Sequence, residues 1–76
     1  MLKFNEIKNG DKIQAILSSD VFINKKIYYS KDIVDFIVKF IPENKFQLPM
    51  LEVVFTNNNQ LEHVYDFYFI SYKLIK

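Results

Sequence analysis

Residues 30–42 read SKDIVDFIVKFIP, and the conformation of this stretch decides the fold class. Ile33, Val34, Phe36, Ile37, Val38, Phe40 and Ile41 are all β-branched or aromatic, the side chains that favour strands. The spacing points the other way. Wound at about 100° per residue, Lys31, Asp32, Asp35, Lys39 and Glu43 fall within roughly 120° of arc, and every apolar residue lies outside it. As a strand, the stretch has one apolar face of Val34, Phe36, Val38 and Phe40, while the other mixes Ile33, Ile37 and Ile41 with charges. The ends match a helix. Ser30 is a suitable N-cap, Asp32 and Asp35 stand near the positive end of the dipole with Lys39 near the negative end, and Pro42 biases Ile41 out of helical geometry. Asp35 and Lys39 also make a favourably ordered pair four residues apart, worth about 0.2–0.5 kcal/mol. Propensity differences are small and tertiary context overrides them. The spacing therefore predicts an amphipathic helix over residues 31–41.

The rest of the chain reads as strands. KIQAIL (12–17) alternates after the turn KNGD, whose Asn9-Gly10 is the strongest turn signal present. VFINKKIYY (21–29) is two short strand pieces around Asn24-Lys25, a hairpin pattern. PENKFQLP (42–49), bounded by two prolines, is a connecting loop. MLEVVFT (50–56) is strongly strand-like, and NNNQ supplies a turn because Asn tolerates left-handed backbone. LEHVYDFYFISYKLI (61–75) is a second strand, bent near Asp66. The expected architecture is α+β: a single domain over residues 1–76, with one helix laid on an antiparallel sheet. The all-β alternative, in which residues 31–41 extend, is a small barrel of the SH3-like or Tudor-like kind.

A 76-residue chain buries only about 60% of the surface its unfolded form exposes, so its stability margin is thin. It has no cysteine and hence no disulfide, and its one histidine, His63, makes a structural metal an unfavourable choice. That leaves packing or a partner as the reinforcement, with half the residues hydrophobic and 17% aromatic to supply it. Ten basic residues, all lysine, against nine acidic leave a net charge of +1. A near-neutral chain without arginine argues against dedicated nucleic-acid binding, which relies on basic patches and guanidinium contacts. The scarcity of glycine and alanine beside abundant Lys, Asn, Ile, Phe and Tyr matches the codon bias of an AT-rich genome. The N-terminus carries no secretory apolar core, and no run approaches the ~18 apolar residues needed to span a membrane. A cytoplasmic location is the expectation.

Catalytic equipment is sparse. His63 shares its strand face with Leu61, Tyr65, Phe67 and Phe69 and has no evident carboxylate neighbour, while Glu62 and Asp66 lie four apart on the opposite face. The single glycine, Gly10, sits in a turn, so no phosphate cradle is available. No catalytic residue, metal site or cofactor is assigned. Lys25, Lys26 and Lys31 are the candidates for a local positive patch that would take an anionic ligand. The aromatic ribbon VYDFYFISY is the richest feature: one face carries Tyr65, Phe67 and Phe69, the other Val64, Tyr68, Ile70 and Tyr72. A sheet covered on one side by a single helix should be polar on the other. Val64, Tyr68, Ile70 and Tyr72 are therefore the candidate partner-binding residues, tyrosine being common where surfaces meet partners.

GDKIQAILSSD (10–20), IYYSKDIVDF (27–36) and VVFTNNNQLEHV (53–64) resemble parts of Tudor-type small barrels. The resemblance implies an aromatic cage for a methylated side chain and places Leu17, Tyr29, Phe55, Asn58 and Gln60 roughly at cage positions. It also requires residues 31–41 to be a strand. The functional expectation is a small non-enzymatic protein that acts by contact with a protein partner through the 64–72 surface or by strand addition at a sheet edge, with homodimerisation as a related outcome. Its size and composition would suit a phage- or mobile-element-encoded inhibitor or adaptor. The alternatives are a Tudor-like reader of a methylated peptide, and a weak nucleic-acid binder using the three lysines with Tyr28 and Tyr29.

Overall fold

The residues 31–41 are not a helix. In the computed structural model, which describes residues 2–23, 25–41, 49–57 and 59–75, Ile33–Phe40 form the longest strand of an all-β fold. Seven strands occur among the described residues: β1 (Lys12–Leu17), β2 (Val21–Ile23), β3 (Lys26–Tyr28), β4 (Ile33–Phe40), β5 (Met50–Phe55), β6 (Leu61–Tyr65) and β7 (Phe69–Leu74). Short 3-10 turns span Phe4–Glu6 and Asp66–Tyr68. The α+β expectation is thus corrected, and the all-β alternative fits.

The reason lies in what flanks the stretch. β4 is hydrogen-bonded on both sides, antiparallel to β1 through residues 33–37 and to β5 through residues 36–40. Val34, Phe36 and Val38 are buried, and Ile33, Asp35, Ile37 and Lys39 face outward. A helix here would have offered one stripe to the core; the strand instead completes two ladders, and β-branched residues suit that geometry. The helix end signals serve other purposes. Ser30 donates its amide to Asp20 Oδ1 at 2.8 Å, and the Asp32 carboxylate accepts the Tyr29 amide at 3.0 Å. The favourable spacing of Asp35 and Lys39 is lost, since two residues four apart on a strand lie about 13 Å from each other.

The five-stranded sheet runs β6-β5-β4-β1-β7. Its outermost strands are consecutive in the chain, joined only by the three residues Asp66–Tyr68. Flat, the two edges would stand about 19 Å apart (four strand spacings), whereas three residues of 3-10 turn advance about 6 Å. The sheet must therefore curl until its edges approach. β4 is the corner, with β1 and β7 layered on one side and β5 and β6 on the other. Enclosed between the layers are Ile13, Ala15, Leu17, Val34, Phe36, Val38, Leu51, Val53, Phe55, Val64, Phe69 and Tyr72.

Two bulges tune this curvature. Lys39 has no opposite residue in the β4–β5 register, which turns Phe40 outward. Ile70 has none in the β1–β7 register, so Phe69 and Tyr72, three apart, both reach the core. An unpaired residue of this kind bends a strand and shifts its side-chain alternation.

The β1-to-β4 connection is an excursion zipped at its base. Leu17 N–H donates to Asp32 O and Lys31 N–H to Leu17 O, each at 2.9 Å. Within it β2 and β3 pair as the expected hairpin, with Ile23 and Tyr28 inward and Phe22 opposite Ile27 outward. The turn after it closes by Asp32 N–H to Tyr29 O at 3.0 Å and places Lys31 at φ 74°. Gly10 takes the same role in the KNGD turn, at φ 88°, with Asp11 N–H donating to Lys8 O at 3.1 Å. The NNNQ turn carries Asn59 at φ 55°, as expected of asparagine. Residues 42–48 of the predicted 42–49 loop, together with Asn24 and Asn58, lie outside the described residues.

Both 8–11 and 29–32 are type II turns, whose third position favours glycine. A substituted Cβ at Gly10 would meet nothing within 4 Å, so only backbone strain resists it. Gly10→Ala should cost about 1 kcal/mol, and Lys31→Gly should be neutral or stabilise by up to about 1 kcal/mol. Urea unfolding of the two variants checks both signs; equal losses would show that the Lys31 conformation carries no strain.

Candidate binding site

The predicted partner face does not survive as one surface. Val64 is 0% exposed and Tyr72 6%, both in the core, while Ile70 is 51% exposed and Tyr68 is half-buried. Continuous alternation from residue 61 to 75 would have aligned them. The 3-10 turn at Asp66–Tyr68 and the bulge at Ile70 each reset the parity.

What the turn presents instead is a cluster of three rings. Tyr65 and Phe67 stack with centroids 5.4 Å apart, and Tyr68 meets Tyr65 edge-on at 5.5 Å and Phe67 at 5.2 Å. Phe67 is 58% exposed. Such edge and stacked geometries suit the ring quadrupoles and hold the cluster in one arrangement. The backbone beneath is pinned by the end of β1 and by the residue before β5. Ser18 N–H donates to Tyr68 O at 2.8 Å and Ser18 Oγ to Phe67 O at 2.9 Å, while Asp66 N–H donates to Pro49 O at 3.1 Å. Sequence reasoning placed Tyr65 and Phe67 on the opposite face from Tyr68; the signal that unites them was the bend expected near Asp66.

Asp66 also faces inward. Tyr72 donates its hydroxyl to Asp66 Oδ1 at 2.7 Å, and Tyr72 packs on Phe69 and Phe4. Burial, then the hydrogen bond to this carboxylate and its charge, push the Tyr72 hydroxyl far above the usual phenol range.

A second concave region lies between the hairpin and the adjoining ends of β4 and β5. It encloses about 310 Å³ and is lined among others by Lys26, Tyr28, Asp32, Asp35, Phe55 and Thr56. Tyr28 is buried and meets Phe55 edge-on at 5.5 Å, and Lys26 Nζ stands 5.0 Å from the Tyr28 ring centroid. Thr56 binds the Asp35 backbone carbonyl through its amide at 3.1 Å. Oδ1 of Asp35 is buried and has no hydrogen-bond partner.

The other expected sites fare as follows. Lys25, Lys26 and Lys31 are all exposed, but Lys26 Nζ stands over the Tyr28 ring and Lys25 sits at φ 64° in the hairpin turn. Of the residues at Tudor cage positions, Leu17 and Phe55 are in the core and Tyr29 and Gln60 are exposed, while Asn58 lies outside the described residues. They form no cage. His63 does have a carboxylate neighbour, contrary to expectation: Glu52 is its cross-strand partner, with Nε2 3.3 Å from Oε2. The exposed pair contributes little. No group of three or more His, Cys, Asp or Glu side chains suited to a metal occurs among the described residues, nor does a helix long and apolar enough to cross a membrane. No protein family, curated protein or solved structure matches the chain.

The Tyr72 hydroxyl has a readable consequence. Its proton is held more tightly folded than unfolded, so the unfolded chain loses it first, near pH 10. Stability from this group is fully present below about pH 10 and falls as pH rises beyond it. Tyr72→Phe should cost about 1 kcal/mol at neutral pH and flatten the decline of unfolding free energy above pH 10. Chemical denaturation of both proteins between pH 8 and 11.5 checks this; parallel curves would mean that Tyr72 does not contribute.

Proposed function

We propose that this chain is a small binding protein, not an enzyme, that acts as an inhibitor or adaptor by gripping a partner protein with the ring cluster of the 66–68 turn. One observation carries the reading: Tyr65, Phe67 and Tyr68 hold one another in place at the surface, on backbone tied to β1 and to Pro49, with Phe67 largely uncovered. Pre-ordered aromatic side chains lose little conformational entropy on binding and dominate interface energetics. The near-neutral, arginine-free composition favours a protein over a nucleic acid as the partner. The strand order, the excursion between β1 and β4 and the 3-10 turn before β7 support assignment of the fold to the SH3-like and Tudor-like small barrels.

The location of the rings dictates the test. Tyr72 would be an uninformative target, because removing a core ring unfolds the site with the scaffold. Phe67→Ser, at an exposed position, should change unfolding free energy by no more than about 0.5 kcal/mol. It should weaken partner binding at least tenfold, as loss of a central aromatic anchor does. A photo-crosslinking residue at position 67 should capture a defined protein from the native host, and the same residue at Lys73 should not. Capture of a second copy of the chain would reassign the cluster to self-association; equal capture at both positions would remove it as the contact site.

A further inference from the structure

We propose that the cavity beside the hairpin is a binding site for an organic cation, an ammonium or guanidinium head group, and that Lys26 occupies it when no ligand is present. The site shares no residue with the ring cluster of the 66–68 turn, so it stands or falls independently of that reading.

Its walls specify the ligand's charge. Asp32 and Asp35 both line the cavity, and among the described residues neither carboxylate is ion-paired. One Asp32 oxygen is taken by the Tyr29 amide. Oδ1 of Asp35 is buried and unpartnered, a condition that folded proteins keep rare. An anion is therefore disfavoured, because two aspartates and a single lysine line the cavity. A divalent metal is poorly served as well: among the described residues no third carboxylate, histidine or cysteine joins the pair, and hard cations demand several oxygen ligands. The aromatic wall favours a weakly hydrated organic cation instead.

Lys26 shows that the ring face accepts such a group. Its ammonium lies 5.0 Å from the Tyr28 centroid, and the edge-on contact of Tyr28 with Phe55 fixes the plane of that ring. Lys26 is itself exposed, with no ion pair among the described residues, so nothing but the ring holds it there. A contact of this kind at an exposed site is weak, and a long flexible stem can swing away. An incoming cation would replace the ammonium over the Tyr28 ring, in a cavity that Asp32 and Asp35 also line. In this reading Lys26 is a placeholder for a positively charged ligand, the reverse of an anion-binding lysine.

Amide chemical shifts of the full chain, titrated separately with tetramethylammonium, methylguanidinium and sodium chlorides, test the proposal. Either organic cation should move the amides of Lys26, Tyr28, Asp35 and Thr56 at millimolar concentration, and sodium chloride should not. Lys26→Met keeps the apolar stem and removes the competing charge; it should tighten binding about threefold. Asp35→Asn should weaken binding at least about fivefold; should that variant fail to fold, Asp32→Asn provides the same readout. Shifts that sodium reproduces, shifts scattered over the surface, or affinity unchanged or weakened by Lys26→Met would each overturn the proposal.

Discussion

The structure depends on one strand being shared by two layers. β4 pairs with β1 along its first half and with β5 along its second, and Phe36 and Ile37 pair on both sides. Phe36 stands at that overlap, fully buried, with its ring 6.1 Å from Phe55 and 5.8 Å from Phe69. It thus ties together residues from β4, β5 and β7. A chain of this length with no disulfide must obtain its stability from apolar burial, and large rings bury more area per residue than any aliphatic side chain. Concentrating three of them where the two layers join is how so small a protein closes a curled sheet.

The same rings connect the interior with both surface features. From Phe36 the contacts run through Phe69 to Tyr68 and so to the ring cluster of the 3-10 turn. In the other direction they run through Phe55 to Tyr28 and the cavity beneath Lys26. Each surface feature is therefore the outer end of a packed series, and its geometry is inherited from the core. A rigid inner ring orients its neighbour more firmly than a loop would, because close-packed interiors transmit displacement with little slack.

Much of this was legible. β1 was read at its observed limits, β5 within one residue and the hairpin of β2 and β3 at its turn, whereas β6 and β7 were read as a single bent strand over residues 61–75. Strict alternation and Asn- or Gly-bearing turns are local signals, and local physics honours them. The bend near Asp66 was also anticipated, though not its effect on side-chain parity. The failure lay in residues 31–41. Their charges repeat with helical spacing because outward positions 35 and 39 are polar while outward positions 33 and 37 are apolar. An amphipathic arc and a half-apolar strand face can be written with the same letters. The mistaken partner face followed from a different cause: two single-residue irregularities, at the 3-10 turn and at Ile70, that no periodicity reveals.

By itself, then, the sequence determined the composition-level facts: no disulfide, abundant aromatic bulk, near-zero net charge, and the turns that divide the chain into extended segments. Those depend only on residue identity and on contacts within a few positions. Tertiary structure alone decided that residues 33–40 extend, which rings are core and which are surface, and that Lys26 rests against Tyr28. The physical reason is that a strand acquires its hydrogen bonds from other strands. The merit of extending β4 resides in β1 and β5, about twenty residues away on one side and more than ten on the other, and no reading confined to its own neighbourhood can weigh it.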